Sequence, residues 1–440
     1  MTTRSGALKF NARLDRCLVS VDGGVRHLVL EVTAPEIVRR KGAERPPLDL
    51  ALVIDASSSM SGAPLEAAKQ AAAGVVEALG PRDRITVTSF ADDVIRHVDA
   101  RSTDGDGRAR ALQEIAALTT RGCTDLAAGW HDGVRALLDS RRPDAQRRVV
   151  LLSDGHANRG ETAPAALARH ALAAVADGVT TTAVGIGHGY SAVQLAALCE
   201  HGGGNLHHAA RAEEILEVVA GELGEILDTA VEAVTVRLEV PQWLEPETLG
   251  PFPLERIWVE EAMTVHLGSM LSGATRRVIV RLTCDDSVPG DRLRLTATPC
   301  WRTPGRAEER RGRKRVLTLE YVKPEIADAE PVDAELCLEI AQAWQRDLLR
   351  RATLMVESGD QTGARALLDA ALPGFRGFVR DLPDGPEQER AVMRFRRRLD
   401  RRMSPRLVKE VNCLLVKEAA GVRDLRTERA FRMEDLDRWE

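Results

Sequence analysis

Residues 48–56, LDLALVIDA, are almost continuously apolar. A strand of this kind has no face it can leave in water. It needs cover on both sides, which a parallel sheet flanked by helices supplies. The same type of run recurs at 84–91 (RITVTSFA), 147–155 (RRVVLLSDG) and 180–187 (TTTAVGIG). Between the runs lie segments with helical spacing: 64–79, where Pro64 suits a first turn, then 108–118, 126–140, 163–177, 191–200 and 211–229. VIRHVDA (94–100) reads as an edge hairpin beside 84–91, and NLHHA (205–209) as a short last strand. Repeated strand–helix units predict an α/β fold with a doubly wound, mostly parallel sheet, in which ligands sit at the carboxyl ends of the strands.

The flanking chain has a different pattern. Residues 7–36 read as two alternating strands around the turn Asp22-Gly23-Gly24. After 230, six alternating segments follow one another with Pro/Gly turns and no long helix, the signature of an antiparallel β-sandwich. We therefore divide the chain into N-terminal sandwich strands (1–45), an inserted α/β domain (46–229), the rest of the sandwich (230–323) and a helical C-terminal region (330–440). In that region helices are expected at 333–357, 361–380, 386–402, 404–419 and 428–438.

Composition narrows the function classes. The net charge of −5 gives no global attraction to nucleic acid or an anionic membrane. The seven cysteines are odd in number, scattered, and form no CxxC, against a disulfide framework or zinc knuckle. No apolar leader opens the chain and no run of about 18 apolar residues occurs, so a cytoplasmic location and no membrane span are expected.

Three strand–helix junctions carry oxygen ligands: Asp55-Ala56-Ser57-Ser58-Ser59, then Thr124 and Asp125 in RGCTDL, then Asp154 in LLSDG. All three fall where the carboxyl edge of the sheet should be. Two carboxylates and three hydroxyls can converge there, a hard-oxygen set suited to Mg²⁺ or Mn²⁺. The carboxylates offset the 2+ charge, while neutral hydroxyls leave the ion seeking another anionic oxygen.

These residues resemble the von Willebrand factor type A domain with a complete metal-ion-dependent adhesion site. The likeness covers about 48–229. It implies Ser57, Ser59 and Thr124 as direct or near-direct ligands, with Asp55 and Asp154 bound directly or through water. It further implies a divalent cation, Mg²⁺ with Mn²⁺ or Ca²⁺ as substitutes, whose open position takes an Asp or Glu of a partner protein. The rim would include Met60, Asp92, His156 and Asn158, within the loops 58–63, 91–93, 120–125 and 155–161. The β-sandwich around the domain is similar to that of bacterial proteins related to inter-alpha-trypsin inhibitor heavy chains. The leading expectation is a non-enzymatic binding module. The alternative is a non-catalytic adaptor delivering substrate to a MoxR- or chelatase-type AAA+ ATPase.

Competing readings are weaker. Ser57 to Ser59 lie on a strand-to-helix turn, but no G-x-S-x-G elbow exists and no P-loop occurs. Helix capping by Ser59 or Ser61 would explain neither Thr124 nor Asp154. Adjacent His207 and His208 on one strand point to opposite faces and cannot readily share an ion. Cys123 is expected as a small buried thiol, Trp243, Trp258 and Trp301 as sandwich core or edge anchors, and Ser58 as expendable. The arginine cluster 394–406 reads as a solvated helix face rather than a nucleic-acid site.

Overall fold

The computed structural model describes residues 7–37, 45–142, 144–187, 189–209, 211–241, 243–257, 262–401 and positions 403, 404, 407–409, 411 and 415. The expected helices at 404–419 and 428–438, and Trp258, lie largely or wholly outside these residues.

Strands β1 (Lys9–Leu14), β2 (Leu18–Ser20) and β3 (Gly24–Thr33) come first. The α/β segment follows as β4 (Leu48–Asp55), α1 (Ala63–Ala78), β5 (Arg84–Phe90), β6 (Val94–Ser102), α2 (Gly105–Ala116), α3 (Leu126–Asp139), β7 (Gln146–Ser153), α4 (Pro164–Ala176), β8 (Val179–Ile186), α5 (Ala192–His201), β9 (Gly203–Ala209) and α6 (Ala212–Leu227). Then come β10 (Thr229–Glu239), β11 (Glu245–Leu249), β12 (Leu254–Ile257), β13 (Ala262–Leu271), β14 (Thr275–Cys284), β15 (Arg292–Arg302), β16 (Glu309–Arg311) and β17 (Arg315–Val322). Helices α7 (Pro324–Asp328), α8 (Ala334–Glu357), α9 (Gln361–Val379) and α10 (Gly385–Arg398) complete the description.

The α/β sheet has the order β6-β5-β4-β7-β8-β9, parallel except for β6, which pairs antiparallel with β5. Every residue of β4 and β7 is buried, as two-sided cover requires. One layer packs α1, α2 and α6 against Leu50, Leu52 and Ile54. The other packs α3, α4 and α5 against Ala51 and Val53. The chain leaves β4 for β5 on one side and β7 on the other, so the sheet's switch point lies at β4, where ligands of such folds bind.

β1, β3, β14 and β11 form a four-stranded antiparallel sheet. It faces a second sheet ordered β12-β13-β10-β15-β17-β2, with β16 beside β15. The hairpin read at 7–36 is corrected here. β1 pairs with β3, whereas β2 crosses to the other sheet and runs parallel to β17. The Asp22-Gly23-Gly24 turn therefore changes sheets instead of closing a ladder. The sandwich is antiparallel except at this pair.

β3 alternates in sequence, yet residues on both of its faces are covered. Leu28, Leu30 and Val32 enter the sandwich core. Val29 packs with Ile279, Ile340, Trp344 and Phe375 under the C-terminal helices, and His27 stacks edge-on against Phe378 at 5.1 Å while bonding Asp15 at 3.0 Å. Trp301 joins the sandwich core, but Trp243 is half exposed rather than an anchor. In the arginine cluster, Arg396 is tied to Asp369 and Asp400 of this chain. Among the described residues no helix is long and apolar enough to cross a membrane.

A buried polar network fastens α6 to the sheet. Glu222 accepts from Thr182 Oγ1 at 2.7 Å and Asn205 Nδ2 at 3.3 Å, and its Oε2 lies 2.7 Å from His207 Nε2. His208 turns the other way, to Tyr190. Burial works against the Glu222 charge, but the bonds from His207, Thr182 and Asn205 outweigh it and hold the carboxyl below its ordinary value. A depressed acid stabilises above its unfolded value and loses that contribution as pH falls through its folded one. His207→Ala, which strands a buried carboxylate, should cost about 3 kcal/mol near neutral pH. Chemical denaturation should show that loss shrinking as the solution is acidified and Glu222 takes up a proton.

Candidate metal centre

The site is built by chain reversals at the carboxyl edge. β4 ends at Asp55, which is fully buried. Its Oδ1 accepts from the Ser57 amide at 2.8 Å, and its Oδ2 accepts from Ser153 Oγ at 2.6 Å. This turn presents Ser57, itself buried, toward Ser59, with 3.0 Å between the two hydroxyl oxygens. Ser59 Oγ in turn donates to Asp154 Oδ1 at 2.7 Å. The first and third junctions are thus joined directly.

Thr124 arrives from the loop before α3. That loop is pinned to the first by the Arg121 amide on Ala56 O (2.6 Å) and the Ser58 amide on Gly122 O (3.1 Å). Gly122 adopts φ +53°, and a Cβ there would lie 1.9 Å from Asp92 Oδ2, so any other residue would be strained and would displace Asp92. Asp125 caps α3 by accepting from the Ala128 amide at 2.9 Å. Gly155 locates the centre. A Cβ on it would sit 3.4 Å from Thr124 Oγ1, 3.6 Å from Ser59 Oγ and 3.8 Å from Asp55 Oδ2. The five residues singled out in the sequence are therefore brought to one cradle.

Charge balance in the cradle is one-sided. Burial pushes the Asp55 carboxyl up, hydrogen bonds from Ser153 and Ser57 pull it down, and Asp154 pushes it up again. Burial also pushes Asp154 up, against its bond from Ser59. Among the described residues neither has a recorded ion pair with Lys or Arg. Two desolvated carboxylates without a countercharge are costly unless a cation joins them. The donor set, carboxylate and hydroxyl oxygen with no imidazole or thiolate, fits a hard divalent ion.

The rim differs from expectation at several points. Met60 is wholly buried in the core beneath α1 and cannot line the surface; it is the apolar plug of the turn that carries Ser57 and Ser59. Asp92 is exposed but bonded by Arg159 at 2.5 Å, which holds its carboxyl below the usual range. Cys123 is exposed, not buried, because the loop turns it outward beside Asp92. His156 lies on the surface; partial desolvation, then the Lys409 charge, lower its proton affinity. Asn158 positions a ligand candidate: its Oδ1 accepts from the Thr124 amide at 3.0 Å, while its own amide returns to Thr124 O at 3.1 Å. Ser58 is not idle, since its Oγ donates to Gly122 O at 3.0 Å. Sequence reasoning missed Ser153. The available signal was a hydroxyl at the last strand position, beside β4 and next to Asp154.

The sequence model of the von Willebrand factor type A domain matches residues 49–220, from the start of β4 into α6. The segment 49–220 thus carries the sequence signature of a von Willebrand factor type A domain. The chain is similar to the uncharacterised protein sll0103 of Synechocystis, 26% identical over 265 residues, 57% of this chain and 60% of that protein. It is also similar to human inter-alpha-trypsin inhibitor heavy chain H3, 27% identical over 166 residues, 36% of this chain and 18% of that one. The chain thus spans under two thirds of the length of these curated relatives. Its fold is similar to a solved von Willebrand factor type A protein from Catenulispora acidiphila, with TM-score 0.67, 16% identity, and 90% and 91% of the two chains covered.

Proposed function

We propose that Asp55, Ser57, Ser59, Thr124 and Asp154 hold one divalent cation, Mg²⁺ in the cell, through which the chain grips a carboxylate of a partner protein in the cytoplasm. The reading is carried by the convergence of the buried Asp55 and half-buried Asp154 carboxylates, neither paired with Lys or Arg among the described residues, with the hydroxyls of Thr124 and Ser59 beside Gly155 and of Ser57 on Ser59. A bound ion would supply a Lewis-acidic position open to an anionic oxygen. The chain's own residues do the rest. Ser153 and the Ser57 amide orient Asp55, Asn158 orients Thr124, and the Asp92–Arg159 pair shapes the rim.

Binding suits these groups better than hydrolysis. Ser58 donates to Gly122 O, Ser59 to Asp154, and Ser57 lies against Ser59, so among the described residues no imidazole stands against these hydroxyls as the base of a serine nucleophile. A carboxylate entering this edge would exchange water for a charge-assisted bond, and specificity would come from the surrounding loops. The test is capture from source lysate on immobilised full-length chain with Mg²⁺, with EDTA, and with Asp154→Ala in Mg²⁺. A partner retained only by the wild type in Mg²⁺ is expected. One retained equally in all three arms would refute recognition through the metal.

A further inference from the structure

At the opposite, amino-terminal edge of the sheet, the α/β domain and the β-sandwich enclose a cleft. Its mouth holds about 440 Å³ and its floor about 60 Å³. The charged side chains lining it are Arg141, Arg142, Arg147, Arg302 and Arg306 against Asp144, Glu232 and Glu308. Several of these charges are already paired. Arg142 pairs with Asp49, Arg306 Nε lies 3.8 Å from Asp144 at the exposed mouth, and Glu232 accepts from Arg148 Nη2 at 2.9 Å and the Gly305 amide at 3.1 Å. The remainder, Arg141, Arg147 and Arg302 against Glu308, is a cationic pocket.

Its floor is under electrostatic load. Arg147 is 8% exposed, and its buried Nε has no hydrogen-bond partner. Burial lowers its proton affinity and Arg141 adds like-charge repulsion; Glu232 and Asp49 offset part of this, and Arg302 adds further repulsion. Gly178, at φ +85°, borders two guanidiniums at once: a Cβ there would meet Arg147 Nη2 at 2.6 Å and Arg302 Nη1 at 3.6 Å. Carbonyls ending α4 engage these two arginines, Asp177 O taking Arg147 Nη2 at 3.2 Å and Val175 O and Ala176 O taking Arg302 at 3.3 and 3.0 Å. That arrangement holds the guanidiniums in place without neutralising them. The mouth is fixed by Gly305, whose Cα packs so closely on the Asp144 carbonyl that a Cβ would lie 2.3 Å from its oxygen.

We propose that this interdomain cleft binds a small polyanion bearing two or more phosphate-type groups. Guanidinium forks match such oxyanions, and a crevice between domains is a common place for a small ligand. Among the described residues no lining side chain is aromatic, so the recognised chemistry is the oxyanion itself.

The test is calorimetry of the full chain with inorganic pyrophosphate, in EDTA so that the metal centre takes no part, with inorganic phosphate as the single-group comparison. Pyrophosphate should bind more tightly than phosphate, and more weakly as salt rises. Affinity should fall about ten-fold or more in the surface variant Arg141→Glu/Arg306→Glu, fall also in Arg147→Gln, and persist in Asp154→Ala. If Arg147→Gln does not fold, the surface variant decides. Absence of binding, unchanged affinity in the surface variant, or loss of binding in Asp154→Ala would overturn the proposal.

Discussion

Asp55→Asn should abolish the stabilisation that Mg²⁺ confers on the full-length chain. At an ion concentration near 100 times its dissociation constant, the wild type should gain about 2.7 kcal/mol over its EDTA form; the variant should gain none. The substitution keeps the shape and an acceptor for the Ser57 amide, and its NH2 can donate to the Ser153 hydroxyl oxygen that now donates to Asp55, but it removes the buried charge. In EDTA the variant should therefore be at least as stable as the wild type, because it no longer sets two desolvated carboxylates against each other. Thermal melts with and without Mg²⁺ measure both halves. A variant that keeps the metal response would show that Asp55 is a structural acid and not part of a cation site. Ser153→Ala, which frees Asp55 from one side, should weaken Mg²⁺ about 10- to 100-fold without abolishing it.

Trp344→Ala carries the second large effect, on stability. Trp344 is buried at the centre of the C-terminal helices. Its ring meets Phe375 edge-on at 5.3 Å and Phe378 at 5.9 Å, lies 6.2 Å from His27 of β3, and has Arg281 Cζ of β14 at 5.0 Å from its centroid. One side chain thus joins α8, α9 and two strands of the four-stranded sheet. Truncation removes the apolar burial and leaves a cavity among rigid neighbours, so a loss of about 3–5 kcal/mol is expected by urea denaturation. A loss below about 1 kcal/mol would mean that the helices rest on the sheet without supporting it.

The α/β segment was legible because its chemistry is local. Runs such as LDLALVIDA admit one environment, and the strands at 48–55, 84–90, 146–153 and 179–186 follow them within a residue or two. The clustering of Asp55, Ser57, Ser59, Thr124 and Asp154 was legible because strand ends of a parallel sheet share one edge. What escaped depended on contacts distant in sequence. The destination of β2 is set by β17, some 300 residues later, and no turn signal encodes it. The burial of His27 and Val29 depends on helices that begin after 330. Met60 looked exposed in a polar loop, but the single turn it closes points it into the core. Ser153 was overlooked, and Ser58 read as expendable, because their partners are a carboxylate and a carbonyl of other segments.

The most direct test of the central claim is a crystal of the full-length chain grown with Mn²⁺ and measured at the manganese edge. The account predicts one strong anomalous peak in the cradle beside Gly155, bounded by oxygens of Ser57, Ser59 and Thr124, with Asp55 and Asp154 bound directly or through water. Its open position should hold water, a small anion or an acidic side chain from a neighbour. An ordered cradle with no anomalous density at saturating Mn²⁺ would contradict it.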